Sequence, residues 1–404
     1  MADGPSAVSL LDGLIKTQYD GQYITEQQML AAPFLSTIPV HDKKPGASGL
    51  VFDVHLGGNM GGGPLNYDEN FQRGQTELNA KATVGWTFYH WTIDTFGEVL
   101  DVVRGGDTSF AENLDYQMTE AVKSFHKLRN QDAYGDGTSV RAIVTANATS
   151  ATHTVDNPHY LRRNMKVDIY DTTLATLKAR GVSVVSNAVF SGTVTFDTSL
   201  TLVATDKIVL TTTQDNAPST GKSLHGLARI IDTTTAGTSY LGISRSTYPE
   251  WQAVVHDAAS AAAVSNDLLQ RIWDRHQFTC DGMADTIHTG PQQLRAYLGT
   301  VTPLKEFHDD KLDSGYTALT WNGKPWRTDT DCPRDTIFFL TTKGEHNIRR
   351  AVVREMSWDD RGGGTLRRVG ESDRWAATLI CRDDLFCRRP NHQAKIKGLI
   401  TPAI

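Results

Sequence analysis

Ser109-Phe-Ala-Glu-Asn-Leu-Asp-Tyr-Gln-Met-Thr-Glu-Ala-Val-Lys-Ser-Phe-His-Lys-Leu-Arg-Asn-Gln-Asp-Ala-Tyr-Gly-Asp-Gly137 is the clearest helix signal in the chain. Ser109 with Glu112 three residues on forms a capping box, which satisfies two backbone donors left open at a helix start. Phe110, Leu114, Met118, Ala121, Phe125 and Leu128 then recur at steps of three and four, a single apolar stripe. Gly135-Asp-Gly137 stops the helix, since two glycines favour a turn. Asp107 to Gln131 is 25 residues, roughly 37 Å at 1.5 Å per residue. Such a long, one-sided helix is expected to lie on a sheet.

Upstream, the Gly/Pro-rich loops His41–Gly49 and Gly57–Asn66 flank a strand-like run, Leu50-Val-Phe-Asp-Val-His55. A second extended run, Leu78–Phe96, contains Trp86, Phe88, Tyr89 and Trp91. Its alternation changes phase near Phe88 and Tyr89, so a bulge is expected there. Together these runs read as a long two-stranded excursion. A two-stranded ribbon is marginal in water alone, so it needs something to lie on.

Downstream, composition changes between Arg141 and Arg245. Twenty threonines fall in this segment; no Glu occurs between Glu120 and Glu250, and no Trp between Trp91 and Trp251. Threonine suits a pleated surface and the missing Glu removes a helix former. Met165–Tyr170, Val182–Val185, Gly192–Phe196 and Lys207–Thr211 follow as short runs with turns between them. The rhythm indicates an inserted all-β barrel or sandwich. Helices then resume: Ser265 opens one carrying Leu268, Leu269, Ile272, Trp273 and His276 on one face. Pro291 stands at the first position of another, with Leu294, Tyr297 and Leu298. Asp335–Leu340 and Trp375–Cys381 read as strands. The arginine-rich stretch from Asn347 to Arg389 is interleaved with acids, a salt-bridged surface.

The 404 residues suggest two to three folding units. Apolar residues are 39%, charged residues 21%, and net charge is -6, which argues against a protein built to grip phosphate backbones. No stretch reaches the ~18–20 apolar residues of a membrane helix, and Asp12 and Gly13 break the one apolar run near the N-terminus. Cys280, Cys332, Cys381 and Cys387 form no CxxC pair and have no zinc-finger histidine spacing. They read as reduced, small hydrophobes in a protein made in a reducing cytoplasm.

No motif supports catalysis, a cofactor or a metal. Gly57-Gly-Asn-Met-Gly-Gly-Gly63 is followed by Pro64-Leu-Asn66, where a phosphate-binding loop needs Lys-Ser/Thr and a helix. Ser239 lacks the G-x-S-x-G spacing of a strained nucleophile turn. Asp329, Asp331 and Asp335 alternate, but Arg334 stands where a calcium loop needs glycine, so a solvated turn is expected. Asp309-Asp310 has no companion base or ligand nearby. His90 and His276 sit in aromatic or apolar surroundings and read as structural.

The order of features resembles the major capsid protein of tailed bacteriophages, the Hong Kong 97-type fold. Thr87–Asp94, Glu120–Phe125 and Tyr134–Gly137 resemble its strand, spine helix and turn. Gly242–Trp251 resembles the return from an insertion into the axial domain. Asp281–His288 resembles the loop before that domain's second helix. Asn322–Trp326, Asp331–Pro333 and Ile337–Leu340 resemble its closing strands. The resemblance implies an α+β chain with an N-terminal arm (1–40), an extended loop (41–83) and a peripheral domain with the spine helix (84–140). It further implies the inserted β domain (141–245), an axial domain (246–340) and C-terminal strands (341–404).

It also implies self-assembly into hexamers and pentamers of an icosahedral head that encloses double-stranded DNA. Such a shell is put together in the host cytoplasm with portal and scaffolding proteins and sometimes a decoration protein. The arm is too short to hold a scaffolding segment, so a separate scaffolding protein, or none, is expected. Some relatives crosslink a loop lysine to a neighbour; Lys43, Lys44 and Lys81 lie in the corresponding region but match no motif. An encapsulin-like compartment shares this fold and is the first rival. A carbohydrate-active enzyme with a β-sandwich appendage is the second.

Overall fold

The structure is a computed structural model and describes residues 33–46, 49–59, 61–68, 70, 73–74, 76–96, 108–211, 220–233, 239–280, 284–301, 320–344, 347–360, 366–370 and 372–401. Most of the expected arm and the Asp309-Asp310 pair lie outside these residues. Within them the chain divides into two compact units. One holds residues 88–128 and 354–382, the other 33–87, 129–353 and 383–401.

In chain order the strands are β1 (Leu50–Gly57), β2 (Leu78–Val84), β3 (Thr87–Phe96), β4 (Val140–Ile143), β5 (Ala148–Thr154), β6 (Lys166–Tyr170) and β7 (Leu177–Ala188). They continue as β8 (Thr193–Leu202), β9 (Lys207–Leu210), β10 (Ser239–Tyr240), β11 (Ile243–Ser244), β12 (Val254–Ala262), β13 (Thr286–Thr289) and β14 (Thr320–Trp321). The last are β15 (Lys324–Thr328), β16 (Ile337–Leu340), β17 (Ile348–Trp358), β18 (Leu366–Arg368), β19 (Arg374–Cys387) and β20 (Ala394–Leu399). The architecture is mixed α+β with strands in the majority.

The long helix spans Thr108–Tyr134, three residues beyond the expected end, and the chain turns at Gly137, whose φ is +87°. The side chains of residues 108–116, including the expected capping box, lie outside the described ones. Ala121, Phe125 and Leu128 form the buried part of the stripe and Met118 is half-buried. In the first unit, Tyr89 of β3 meets Phe125 edge-on at 6.2 Å. Phe125→Ala empties a fully buried site and is expected to cost about 3–5 kcal/mol, visible as a lower melting temperature; an unchanged melt contradicts this packing.

The Leu78–Phe96 run differs from expectation. It breaks at Gly85-Trp86 into β2 and β3, and the break is where the phase changes: Ala82 and Val84 point inward before it, Tyr89 after it. Because β2 pairs with β1 and β3 with β19, a change of partner replaces the bulge.

In the second unit, β4-β9-β6-β7-β8-β5 form an antiparallel sheet whose outer strands meet at a Val144–Val155 bridge. Closure removes free edges, and Val167, Ile169, Val184, Val194, Phe196 and Ile208 fill the interior. On the outside Thr149 faces Thr201 and Thr152 faces Thr195, with hydroxyls 3.1 and 3.0 Å apart, which is where the excess threonine goes. A second sheet, β12-β20-β16-β13-β15-β14, is mixed. Ser265 caps the helix Asn266–Thr279 by accepting from Leu268 N at 3.2 Å, and Leu269, Ile272 and Trp273 bury against this sheet. Asn322 and Gly323, both at positive φ, make the tight turn between β14 and β15.

Candidate functional site

The β1–β2 ribbon is the feature that a self-sufficient globule has least use for. Its strands pair antiparallel from Leu50–Val84 out to Gly57–Leu78, with one register shift between His55 and Gly57. The root is fixed tightly. Gly49 has φ +93°, and a Cβ there would lie 2.3 Å from the Val84 carbonyl oxygen, so only glycine fits. Thr83 N donates to Leu241 O at 3.0 Å. Phe52 packs near Phe386 and carries the Arg388 guanidinium 5.4 Å from its ring centre. Leu56, Ala82 and Val84 are buried.

Beyond Gly57 the chain makes a 20-residue connection back to Leu78 whose described residues are almost all exposed. Tyr67 is 106% exposed and Leu65 39%. Gly61 serves close self-approach: a Cβ there would fall 2.5 Å from Gly74 Cα, and Asn59 Oδ1 accepts from Gly61 N at 2.9 Å. Lys43, Lys44 and Lys81 are exposed.

One expectation is overturned. Asp329 and Asp331 are 3% and 1% exposed, the opposite of a solvated turn. Asn130 Nδ2 donates to both carboxylates, at 3.0 and 2.7 Å, and Tyr134 OH donates to Asp329 at 2.9 Å. Tyr160 OH donates to the Asp331 carbonyl. The last turn of the long helix is therefore buried together with its polar residues: Arg129, Asn130, Gln131 and Asp132 are all at or below 5% exposure. Arg129 pairs with Asp383, and Asp132 with Arg141 at 2.9 Å. Burial pushes the Tyr134 and Tyr160 hydroxyls well above their usual pKa, with the neighbouring Cys332 as the next cause, so both remain donors. Buried charge must be matched by buried partners; those of Asp329 and Asp331 come from about 200 residues away, that of Arg129 from further still and that of Asp132 from nearby Arg141. The cluster is a lock for the fold, bordered by a cavity of about 190 Å³ lined by Gln131, Asp132, Tyr134, Arg141 and Tyr160 among others.

Phe34 covers that lock, its ring 5.0 Å from Tyr134 and 5.4 Å from His288. Burial, and secondarily Arg327, holds His288 down to about 4. The folded state keeps this imidazole neutral while the unfolded one protonates near 6.5. Stability is thus full above pH 6.5 and falls as pH drops towards 4, by about 3 kcal/mol in total. Urea midpoints at pH 7 and 4.5 are expected to diverge, and His288→Phe to reduce that slope; an equal slope in the variant contradicts this.

The remaining residues singled out by sequence do not converge. His276 is buried with its Nε2 3.6 Å from Cys280 Sγ, whereas His90 is exposed and stacks on Phe88. Ser239 is exposed. Cys332, Cys381 and Cys387 are buried and none of the four cysteines is in a disulfide; burial raises Cys387 to about 12, so it stays a protonated hydrophobe. Among the described residues, no three His, Cys, Asp or Glu side chains are grouped to hold a metal ion, and no helix is long and apolar enough to cross a membrane.

No protein-family model and no curated protein matches this sequence. Solved structures do match. A chain of the cyanophage A-1(L) capsid asymmetric unit aligns over 94% of this chain and 95% of its own, at 14% identity and TM-score 0.57. A chain of the capsid of a native GTA particle aligns over 97% and 98%, at 10% identity and TM-score 0.49. The holo-SrpI encapsulin of Synechococcus elongatus aligns over 100% and 99%, at 8% identity and TM-score 0.47. Only the first is similar enough to carry weight. The chain has the fold of that cyanophage capsid chain, and the resemblance read from the sequence holds at the level of the fold.

Proposed function

We propose that this chain is the major capsid protein of a tailed phage, a structural subunit that assembles into rings of five and six and closes them into an icosahedral head around double-stranded DNA. The shared fold with the cyanophage capsid chain, nearly end to end in both, carries the reading. The ribbon supports it: a fixed root and a 20-residue connection whose described residues are almost all exposed suit a strap onto a neighbouring copy. Each subunit meets several others in such a shell, so modest contacts add up through closure and multivalency. Apolar burial at roughly 25 cal/mol per Å², less the cost of ordering straps, supplies the cohesion. The domain partition expected from the sequence belongs to the same reading, as do a portal and a scaffolding partner and assembly in the host cytoplasm. Purified particles treated with nuclease and then opened should release DNA of genome length. Protein cargo in place of DNA assigns the chain to a compartment shell, and absence of any particle on sedimentation refutes both.

A further inference from the structure

The end of the ribbon is an aromatic, acidic knob, and the molecule carries a socket of matching chemistry that its own knob does not fill. The socket is a cavity of about 580 Å³ beside the ribbon root, within the ~300–1,000 Å³ typical of binding pockets. Phe52, Leu56, Trp251 and Phe278 supply apolar wall, and Phe278 is 93% exposed, an unusual state for a large apolar ring. Arg388 and Arg389 supply charge; Arg388 lies over Phe52, and its buried Nε has no hydrogen-bond partner among the described residues. Two acids also line the wall, Asp53 and Glu250, but Asp53 is opposed across the ribbon by Lys81.

Tyr67, fully exposed, is followed in sequence by Asp68 and Glu69. Residues 58–77 hold three acids against one base. The imbalance runs through the whole chain: residues 1–140 carry 9 Lys/Arg against 18 Asp/Glu, and the other 264 carry 31 against 28. Opposite-sign patches on one molecule favour head-to-tail contact between copies, because like-signed ends repel, and a knob and socket at different places generate rings or sheets of subunits. Aromatic and arginine groups are also the residues that most often dominate such contacts.

We infer that Tyr67, with Asp68 beside it, seats in the Phe52/Trp251/Phe278/Arg388 cavity of a second copy. This rests on the shell reading and names the strap's receiver. Cys280 lines the same cavity, and it is half-buried where the other three cysteines are buried, so it can report occupancy. Assembled Tyr67→Cys protein, oxidised with diamide, is expected to give a ladder of covalently linked chains (pairs, then longer oligomers up to whole rings) on a denaturing gel, and Cys280→Ser in the same background should abolish it; a disulfide requires Cα atoms within about 7 Å. Where Tyr67→Cys fails to assemble, Asn66→Cys applies the same trap with Tyr67 retained. Tyr67→Ala should raise the concentration needed for assembly by on the order of tenfold or more. Normal particles without the Cys280-dependent link in both traps overturn the socket while leaving the shell intact. Absence of particles from the unaltered chain overturns the shell and the socket together, so the two failures are distinguishable.

Discussion

A variant in which residues 58–77 are replaced by Asn-Gly should fold normally and form no particles. Gly57 and Leu78 are register partners at the end of the ribbon, so a two-residue turn closes the strands without disturbing the root, and Asn-Gly is the turn such a hairpin prefers. The removed segment is exposed along nearly all of its described length, Tyr67 and Leu65 included. It buries little within its own chain, so the subunit's unfolding free energy should change by less than about 1 kcal/mol. Assembly is a different matter. Every subunit in a closed shell would lose its strap at once, and a modest loss per contact multiplies across all of them. The expected result is an unchanged melting temperature with sedimentation only as free subunits or small oligomers. Normal particles from this variant contradict the strap role.

Gly226→Ala should be strongly destabilising for steric reasons alone. Gly226 sits where the chain enters the short helix Leu227–Ile230, with φ −80° and ψ −173°, a conformation alanine accepts. Space is the obstacle. A Cβ would stand 2.4 Å from the Asp132 carbonyl oxygen, 2.5 Å from that of Gly135 and 2.6 Å from that of Ala133. All three belong to the end of the long helix and its turn, and none is the tip of a side chain that could swing away. The neighbouring residues Asp132, Ala133 and Tyr134 are buried and held by the ion pair and hydrogen bonds already described. Relief requires moving backbone, so a cost of about 4 kcal/mol is expected, above the ~1–3 kcal/mol of ordinary overpacking. Urea midpoints measure it. Gly62→Ala is the control: nothing lies within 4 Å of its Cβ, so its midpoint should stay within about 0.5 kcal/mol of the original. Equal midpoints for the two variants contradict the packing of the helix end.

Local signals were readable because their causes are local. The stripe through Ala121, Phe125 and Leu128, the Ser265 cap, Pro291 at a helix start and the strand runs through Val167, Val184 and Val194 each follow from spacing or from a single residue's chemistry. The misreadings share a different cause. Arg129, Asn130, Gln131 and Asp132 look like the polar close of a surface helix, and Asp329 with Asp331 like a hydrated turn. Asn130 and Tyr134 meet the two aspartates from about 200 residues away, Arg129 meets Asp383 and Asp132 meets Arg141, and no spacing within either stretch shows that. The chain breaks at Gly85-Trp86, three residues before the bulge that alternation indicates near Phe88 and Tyr89, because alternation records which side is buried but not that β2 and β3 pair with different strands. For the ribbon, the glycine run and the aromatic strand pointed to a hairpin. The tight root at Gly49, where Val84 leaves no room for a side chain, became visible only in the fold.

Negative-stain electron microscopy of the purified, unaltered chain tests the shell reading most directly. Closed, uniform particles with five- and six-fold clusters are expected, with the ribbon of each subunit reaching its neighbour once images are averaged. A field of isolated compact molecules, at concentrations where tip-deleted and unaltered protein look the same, would contradict it.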